Sequence, residues 1–337
     1  MPAHPVVRWG TALALGTLVA GAARRRNALS GSGAAGAAAV GTAVFGAGGV
    51  RGSALLLLFF GSSTALSRLH GRGRHGDDVL PVDPPATWPG PATPARPTSY
   101  GDDVLSVDLP TTADGPRRTL AQVLANGGLP AVLALAGGLR RNPSGRGARA
   151  PGGPAVLALV GDARPSSRRG AAYAGALAAA NADTWATEIG RLSRAAPRMV
   201  TTGRRAEPGV SGAVTPLGTT ASLGGALVIG LAHAMLSTSR PVSLSDALGT
   251  VLRVTAAGFA GALADSVLGA TAQAVYVCRT CGQRTEDHTH AHGDEPPTLT
   301  LVRGLPFMTN DAVNLCASLT GASVAAALSR PHRTSQP

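Results

Sequence analysis

Polar side chains interrupt otherwise apolar stretches at three places in this 337-residue chain. A charge inside an apolar helix is costly and usually serves function. The first place is Asn181-Ala-Asp183-Thr184-Trp-Ala-Thr187-Glu188-Ile-Gly190. On a helix, Asn181, Thr184 and Glu188 lie at i, i+3 and i+7 and share a face, with Asp183 and Thr187 as an adjoining i, i+4 pair. Two carboxylates and two hydroxyls within about two turns are hard oxygen ligands, suited to Mg²⁺ held jointly with phosphate oxygens. The competing reading is a helix end whose acids pair with Arg191 and Arg194. The second place is Gly261-Ala-Leu-Ala-Asp265-Ser266-Val-Leu-Gly269, a single Asp in an apolar helix starting near Ser245. Glycines four residues either side of Asp265 would let another helix or a ligand come close; alternatively Asp265 pairs with an Arg across the bundle. The third is Asn310-Asp311-Ala-Val-Asn314, opening the last apolar segment. Asn310 or Asp311 could be a plain N-cap, whereas Asn314 lies beyond a cap's reach.

Between the first two places runs Thr201-Thr-Gly203-Arg204-Arg205, continuing through Gly209-Val-Ser211-Gly212 to Thr215-Pro216. Thr215 reads as an N-cap with Pro216 at the first helical position. A Gly-rich loop feeding a helix N-terminus suits phosphate, with Arg204 and Arg205 supplying bidentate contacts. It is not a P-loop, because no G-K-[ST] follows, and an ordinary interhelical connection would look similar. Further on, Cys278-Arg-Thr-Cys281 precedes His288, His290 and His292. C-x2-C is a zinc half-site, and His290 with His292 would complete a structural four-ligand Zn²⁺ site. A redox C-x-x-C or a fortuitous His-rich loop are the alternatives.

The elements that must position these residues are long, charge-poor segments. Val6 to Ala23, Ser30 to Val50, Gly52 to Ser67, Thr119 to Leu139, Gly212 to Ser239 and Asp311 to Ser329 fit this description. A membrane span needs roughly 20 predominantly apolar residues, so the chain is expected to be an all-α, polytopic integral membrane helix bundle of six to eight transmembrane helices. Composition agrees: 44% of residues are hydrophobic and only 14% charged, against about a quarter charged in soluble domains. The first segment resembles a signal peptide near Ala20-Gly21-Ala22, but its Arg24-Arg25-Arg26 cluster follows the apolar run, so a retained helix is expected.

Residues 1–67 form the N-terminal helices, and 119–329 a core bundle that includes the Cys/His loop at 277–309. Residues 330–337 are a tail. Residues 68–118 carry nine prolines and the duplicated motif Gly76-Asp-Asp-Val-Leu-Pro-Val-Asp83 and Gly101-Asp-Asp-Val-Leu-Ser-Val-Asp108, a pattern expected of a disordered loop. The formal charge of +12 comes from 30 Arg with no Lys, and aromatics are only 3%. With so few rings to stack on bases, nucleic acid is not expected as a partner; the lipid bilayer is. With loops 24–30, 68–118, 191–211 and 271–309 inside, seventeen Arg fall inside and twelve outside. The expected location is the cell membrane, crossed several times. A crossing at Pro154 to Val160 would reverse the later loops.

The same residues resemble domain-of-unknown-function family 92, integral membrane proteins that include transmembrane protein 19 and a plant phytyl-phosphate kinase. The resemblance rests on Asn181 to Gly190, Pro197 to Gly203, Gly209 to Gly212, Leu217-Gly218 with Gly224-Gly225, Asp265 to Thr271 and Asn310 to Asn314. Gln122-Val-Leu-Ala-Asn126-Gly127 also looks like a family element. It covers most of residues 30–329. Bacterial relatives are similar in the Cys-x2-Cys loop but often carry Cys where His292 stands.

Phosphoryl or nucleotidyl transfer to a lipid is the chemistry the residues themselves suggest. The resemblance narrows it to a membrane-embedded prenyl-phosphate kinase-like enzyme, moving a phosphoryl group from a CTP-like nucleoside triphosphate to a lipid monophosphate. Asp183, Glu188 and Asp265 would act on Mg²⁺. Asn181, Thr184, Thr187, Arg204, Arg205, Gly209, Ser211, Gly212, Ser266, Asp311 and Asn314 would line the phosphate and substrate site. A transporter or channel with Asp183 and Asp265 along its path is the alternative from another class, and a non-catalytic scaffold displaying a zinc loop is a third.

Overall fold

The computed structural model describes residues 5–72, 117–138, 168–237, 243–279, 284–286 and 298–329. Its helices are α1 (Pro5–Arg25), α2 (Gly31–Ala43), α3 (Gly49–Arg72), α4 (Leu120–Gly138), α5 (Arg168–Gly190), α6 (Pro216–Ser237), α7 (Leu244–Thr271) and α8 (Asn310–Leu328). Six segments among the described residues are long and apolar enough to cross a membrane, one of them the continuous stretch Gly31–Arg68. The expected helical membrane architecture is therefore what the chain adopts.

That continuous stretch is two elements. A π-helical turn at Val44–Gly48 ends α2, and Gly49 then takes φ 67 before α3 begins. A positive φ is strained for residues with a Cβ but not for glycine, so the break falls there, two residues before Arg51, where the sequence suggested it. Leu29 is fully buried, and Ser30 caps α2 by accepting from Gly33 N at 3.0 Å.

α5 is not among the six apolar spans. Arg168, Arg169, Asn181, Asp183 and Glu188 lower its hydropathy, yet it is the most enclosed helix, buried nearly continuously from Arg169 to Ala182. It packs against α3, α4, α6, α7 and α8. Small side chains make this possible: a Cβ on Gly261 of α7 would meet Ala179 Cβ and lie 2.7 Å from Ala317 O. In lipid, such close backbone approach replaces the hydrophobic drive that holds soluble cores together. Apolar helices thus form a sleeve around the one helix that carries the acidic motif.

The connections fall at two ends. At one, called the loop end below, Arg68 Nη2 donates to Arg26 O (2.7 Å) and Ser30 N to Arg118 O (3.0 Å). Segment 191–215 and the described residues of 272–309 gather there too, joined by Gln273 Nε2 donating to Ser211 Oγ at 3.1 Å. At the opposite end Arg169 Nη1 donates to Ala136 O (3.1 Å), so the chain leaving α4 returns to α5 on the same side. Pro154 to Val160 lies outside the described residues.

The all-α expectation needs one addition. The loop-end connections hold two small antiparallel sheets: β1 (Arg198–Met199) with β2 (Ala213–Val214), and β3 (Val275–Cys278) between β4 (Arg284–Thr285) and β5 (Leu299–Arg303). Val-Tyr-Val is a strand former, and Tyr276 pairs with Thr285 on one side and Leu301 on the other.

Candidate functional site

Asp183 and Asp265 meet. Their carboxyl groups lie within hydrogen-bonding reach of each other, bridging α5 and α7. Asp183 lies seven residues before the loop end of α5 and Asp265 six before that of α7, which places both about 10 Å inside the bundle from that end. Two carboxyl groups in contact repel unless a proton or a cation lies between them. Asp265 Oδ2 is fully buried with no hydrogen-bond partner among the described residues, and Glu286 lies within electrostatic reach of the same carboxyl. Three carboxyl groups thus converge on one point, with an acceptor atom unused.

The rest of the helical motif divides by face. Glu188 is five residues on from Asp183, about 140° around the helix, and turns toward α3. There Ser67 Oγ donates to Glu188 Oε1 (2.7 Å), and Arg191 Nη1 stands 3.7 Å from Oε2. Arg118 is close enough for the Glu188 charge to be felt: burial pushes the guanidinium below its ordinary value, and Glu188 opposes that shift. Glu188 is therefore separated from the Asp183–Asp265 pair, although the helical motif suggests one ligand set. Among the described residues no three His, Cys, Asp or Glu side chains cluster as a metal site. The carboxylate pair would need oxygens from substrate and water to complete a Mg²⁺ shell, the usual arrangement for that ion.

Asn181 is fully buried and works as a brace. It accepts from Ser62 Oγ of α3 (2.9 Å) and donates to Gly225 O of α6 (2.8 Å). Replacing it with Leu, similar in volume, should strand both partners and lower stability by about 1–3 kcal/mol; a lower thermal unfolding midpoint in detergent checks this. Thr184 Oγ1 donates back to Ala180 O at 2.9 Å, while Thr187 is exposed beside Asp183. Ser266 Oγ likewise donates to Ala262 O (3.2 Å).

The Gly/Arg loop docks directly over the end of α7. Gly212 has φ 84, and a Cβ there would collide with Ala270, so only glycine lets the loop lie this close. Ser211 Oγ accepts from Gln273 Nε2, which also donates to Glu286 Oε2 at 2.6 Å, forming a chain that runs toward Asp265. Gln273, only 2% exposed, and Glu286 are site residues that motif reading missed. An amide just past a helix end and an acid in a histidine-rich loop carry no spacing signal. Arg204 and Arg205 are exposed on the turn that leads back from Met199, as is Gly209, and neither arginine forms an ion pair among the described residues. Thr215 caps α6, its Oγ1 accepting from Gly218 N at 3.0 Å, as its place before Pro216 suggested.

At α8 the cap is neither Asn310 nor Asp311. Thr309 Oγ1 accepts from Ala312 N (3.3 Å), because the chain turns one residue earlier than the Asn-Asp pair suggested. Asp311 and Asn314 are half-buried in the first turns of α8, at the loop end. Of the zinc candidates, Cys278 is buried at the end of β3, whereas Cys281, His290 and His292 lie outside the described residues.

A profile of the family described as Integral membrane protein DUF92 matches residues 14–78 and 96–322. The chain belongs to this DUF92 family. The match takes in the acid pair, the loop 191–215 and the start of α8. Protein PGR of Arabidopsis thaliana is 30% identical over 207 residues, 60% of this chain and 66% of that protein. An uncharacterized membrane protein of Methanocaldococcus jannaschii is 36% identical over 153 residues, 45% of this chain and 50% of that protein. The matched regions thus span one half to two thirds of these relatives' own lengths. No solved structure matches the chain.

Proposed function

We propose that this DUF92 protein transfers a phosphoryl group from a nucleoside triphosphate to a lipid monophosphate at the loop end of its bundle. The Asp183–Asp265 pair carries the proposal: two touching carboxyls, one with an unused buried oxygen, about 10 Å inside the loop end. A transport path would favour acids near mid-depth; a position within reach of the loop 191–215 favours chemistry on a membrane-facing phosphate. The resemblance to plant phytyl-phosphate kinase points to the same reaction, with a prenyl-type acceptor and a CTP-like donor.

In this reading an oxygen of the acceptor phosphate attacks the γ-phosphorus in line, the bond from the γ-phosphorus to the β–γ bridging oxygen breaks, and a nucleoside diphosphate leaves. Asp183 and Asp265 would hold Mg²⁺, which when bound neutralises the charge on the transferring group. The backbone at Ser211 and Gly212 keeps the loop against α7 beside the pair. Arg204 and Arg205, exposed at the turn, are within the same loop and reach for donor phosphates. Gln273 holds Ser211 and Glu286 in place. Glu188 and Ser67 act on the α3 side of α5, toward the acceptor. The loop end faces the cytoplasm of the cell membrane, the source of the nucleotide and the side the Arg count favours.

The test is an assay of purified protein with each γ-labelled nucleoside triphosphate against phytyl, geranylgeranyl and undecaprenyl monophosphates. Label is expected in a lipid diphosphate, and Asp183→Asn should remove it. Folded wild-type protein that labels no acceptor would defeat this reading.

A further inference from the structure

A cavity of about 300 Å³ lies between α1, α2, α3 and α4. It exists because α2 and α3 separate from the Gly49 break without packing closely on each other, leaving a wedge that α1 and α4 flank and that stays half open at its side. The cavity runs from Val50 to Phe60 along α3, about 15 Å of helix rise. Its walls are almost wholly apolar, with aromatic rings at Phe45, Phe59 and Phe60. The polar groups on its wall are Ser53 of α3, whose hydroxyl has no partner among the described residues, and, from the loop-end half of α4, Arg118 just before the helix, then Gln122 and Asn126. Arg118 rests over the Phe60 ring, 5.8 Å from its centre, and its backbone is tied to Ala28 and Ser30. The segment from Gln122 to Gly127, set apart by the family resemblance but unused by the acid pair, therefore forms one wall of this cavity.

An elongated apolar cavity among membrane helices with a single guanidinium at its aqueous end matches one kind of molecule: a hydrocarbon chain bearing an anionic head. We propose that this cavity holds the chain of a single-chain lipid monophosphate, with Arg118 receiving the phosphate next to Glu188. The assignment of the head as an acceptor substrate rests on the phosphoryl-transfer reading; the binding itself does not. A guanidinium offers phosphate two parallel donors. It is also partly desolvated here, where charge pairing counts for more than in water.

The experiment measures binding, so that it separates from catalysis. Full-length protein in detergent is titrated with geranylgeranyl monophosphate and with hexadecyl monophosphate, followed by native mass spectrometry. Geranylgeraniol and dioleoylphosphatidylcholine serve as competitors. Ala37→Trp on the α2 wall, which fills the cavity, should weaken binding of both phosphates at least about tenfold, and Arg118→Gln should weaken them while leaving the alcohol's weaker binding unchanged. Asp183→Asn should bind as the wild type does, because Asp183 does not line the cavity; wild-type protein that binds the monophosphates but transfers nothing to them would count against the catalytic reading alone. Gly10→Trp, at an open position of α1, controls for the bulk of the substitution. Binding unchanged in Ala37→Trp, or phosphatidylcholine competing equally with the monophosphates, would overturn the proposal. Should Ala37→Trp fail to fold, Gly41→Phe on the same wall decides in the same way.

Discussion

Asp265→Asn is expected to abolish phosphoryl transfer while leaving the bundle folded. Asparagine keeps the shape of the side chain and can donate to Asp183, but removes one of the two charges that would hold a cation. Losing one fixed electrostatic stabiliser in a water-poor site costs on the order of a hundred- to a thousandfold in rate. Stability should move the other way or not at all. Two carboxyls in contact repel in the absence of a counter-charge, so neutralising one relieves strain. The thermal midpoint of Asp265→Asn in detergent, without added divalent cation, should equal or exceed that of the wild type. A loss of folded protein would instead make the pair a structural tie between α5 and α7.

Gly261→Leu is the substitution expected to damage the fold most. It places a branched side chain where even a Cβ meets Ala179 and lies 2.7 Å from the Ala317 carbonyl. α5, α7 and α8 would have to separate, and the close contacts between their backbones would be lost together. Overpacking of a tight interface costs about 3 kcal/mol, and here it falls four residues from Asp265, so the acid pair would part as well. The unfolding midpoint should fall by several degrees and transfer should be lost. Leu263→Ala makes the contrast: Leu263 is 47% exposed on the lipid side of the same helix and should change neither measurement appreciably.

Much of this arrangement was legible in the residues, and the reasons are local. Apolar runs near membrane length gave the helices. Thr215-Pro216 gave the start of α6, because cap and first-turn residues act through neighbouring backbone. The side of α5 on which Asn181 and Glu188 meet α3 was also readable from their helical spacing. What could not be read was which neighbour each face meets. Asp183 finds Asp265 across eighty residues of chain because Gly261 and Ala179 set the register of two helices, and no spacing within either segment encodes that. For the same reason Glu188 looked like a third ligand for one cation, although it faces Ser67. The strand at Val275–Cys278 was hidden in a segment whose cysteines and histidines suggested zinc. The cavity was invisible because it follows from the π-helical turn at Val44–Gly48 and the angle at Gly49, not from any motif.

The central claim is that Asp183 and Asp265 together hold a divalent cation. Electron paramagnetic resonance of Mn²⁺, a hard-oxygen substitute for Mg²⁺, tests it most directly when titrated into purified wild-type protein and the Asp183→Asn/Asp265→Asn double variant. The account predicts one bound Mn²⁺ in the wild type, tightened by a nucleoside triphosphate, and affinity at least about tenfold weaker in the double variant. Equal Mn²⁺ binding by the two folded proteins would contradict it.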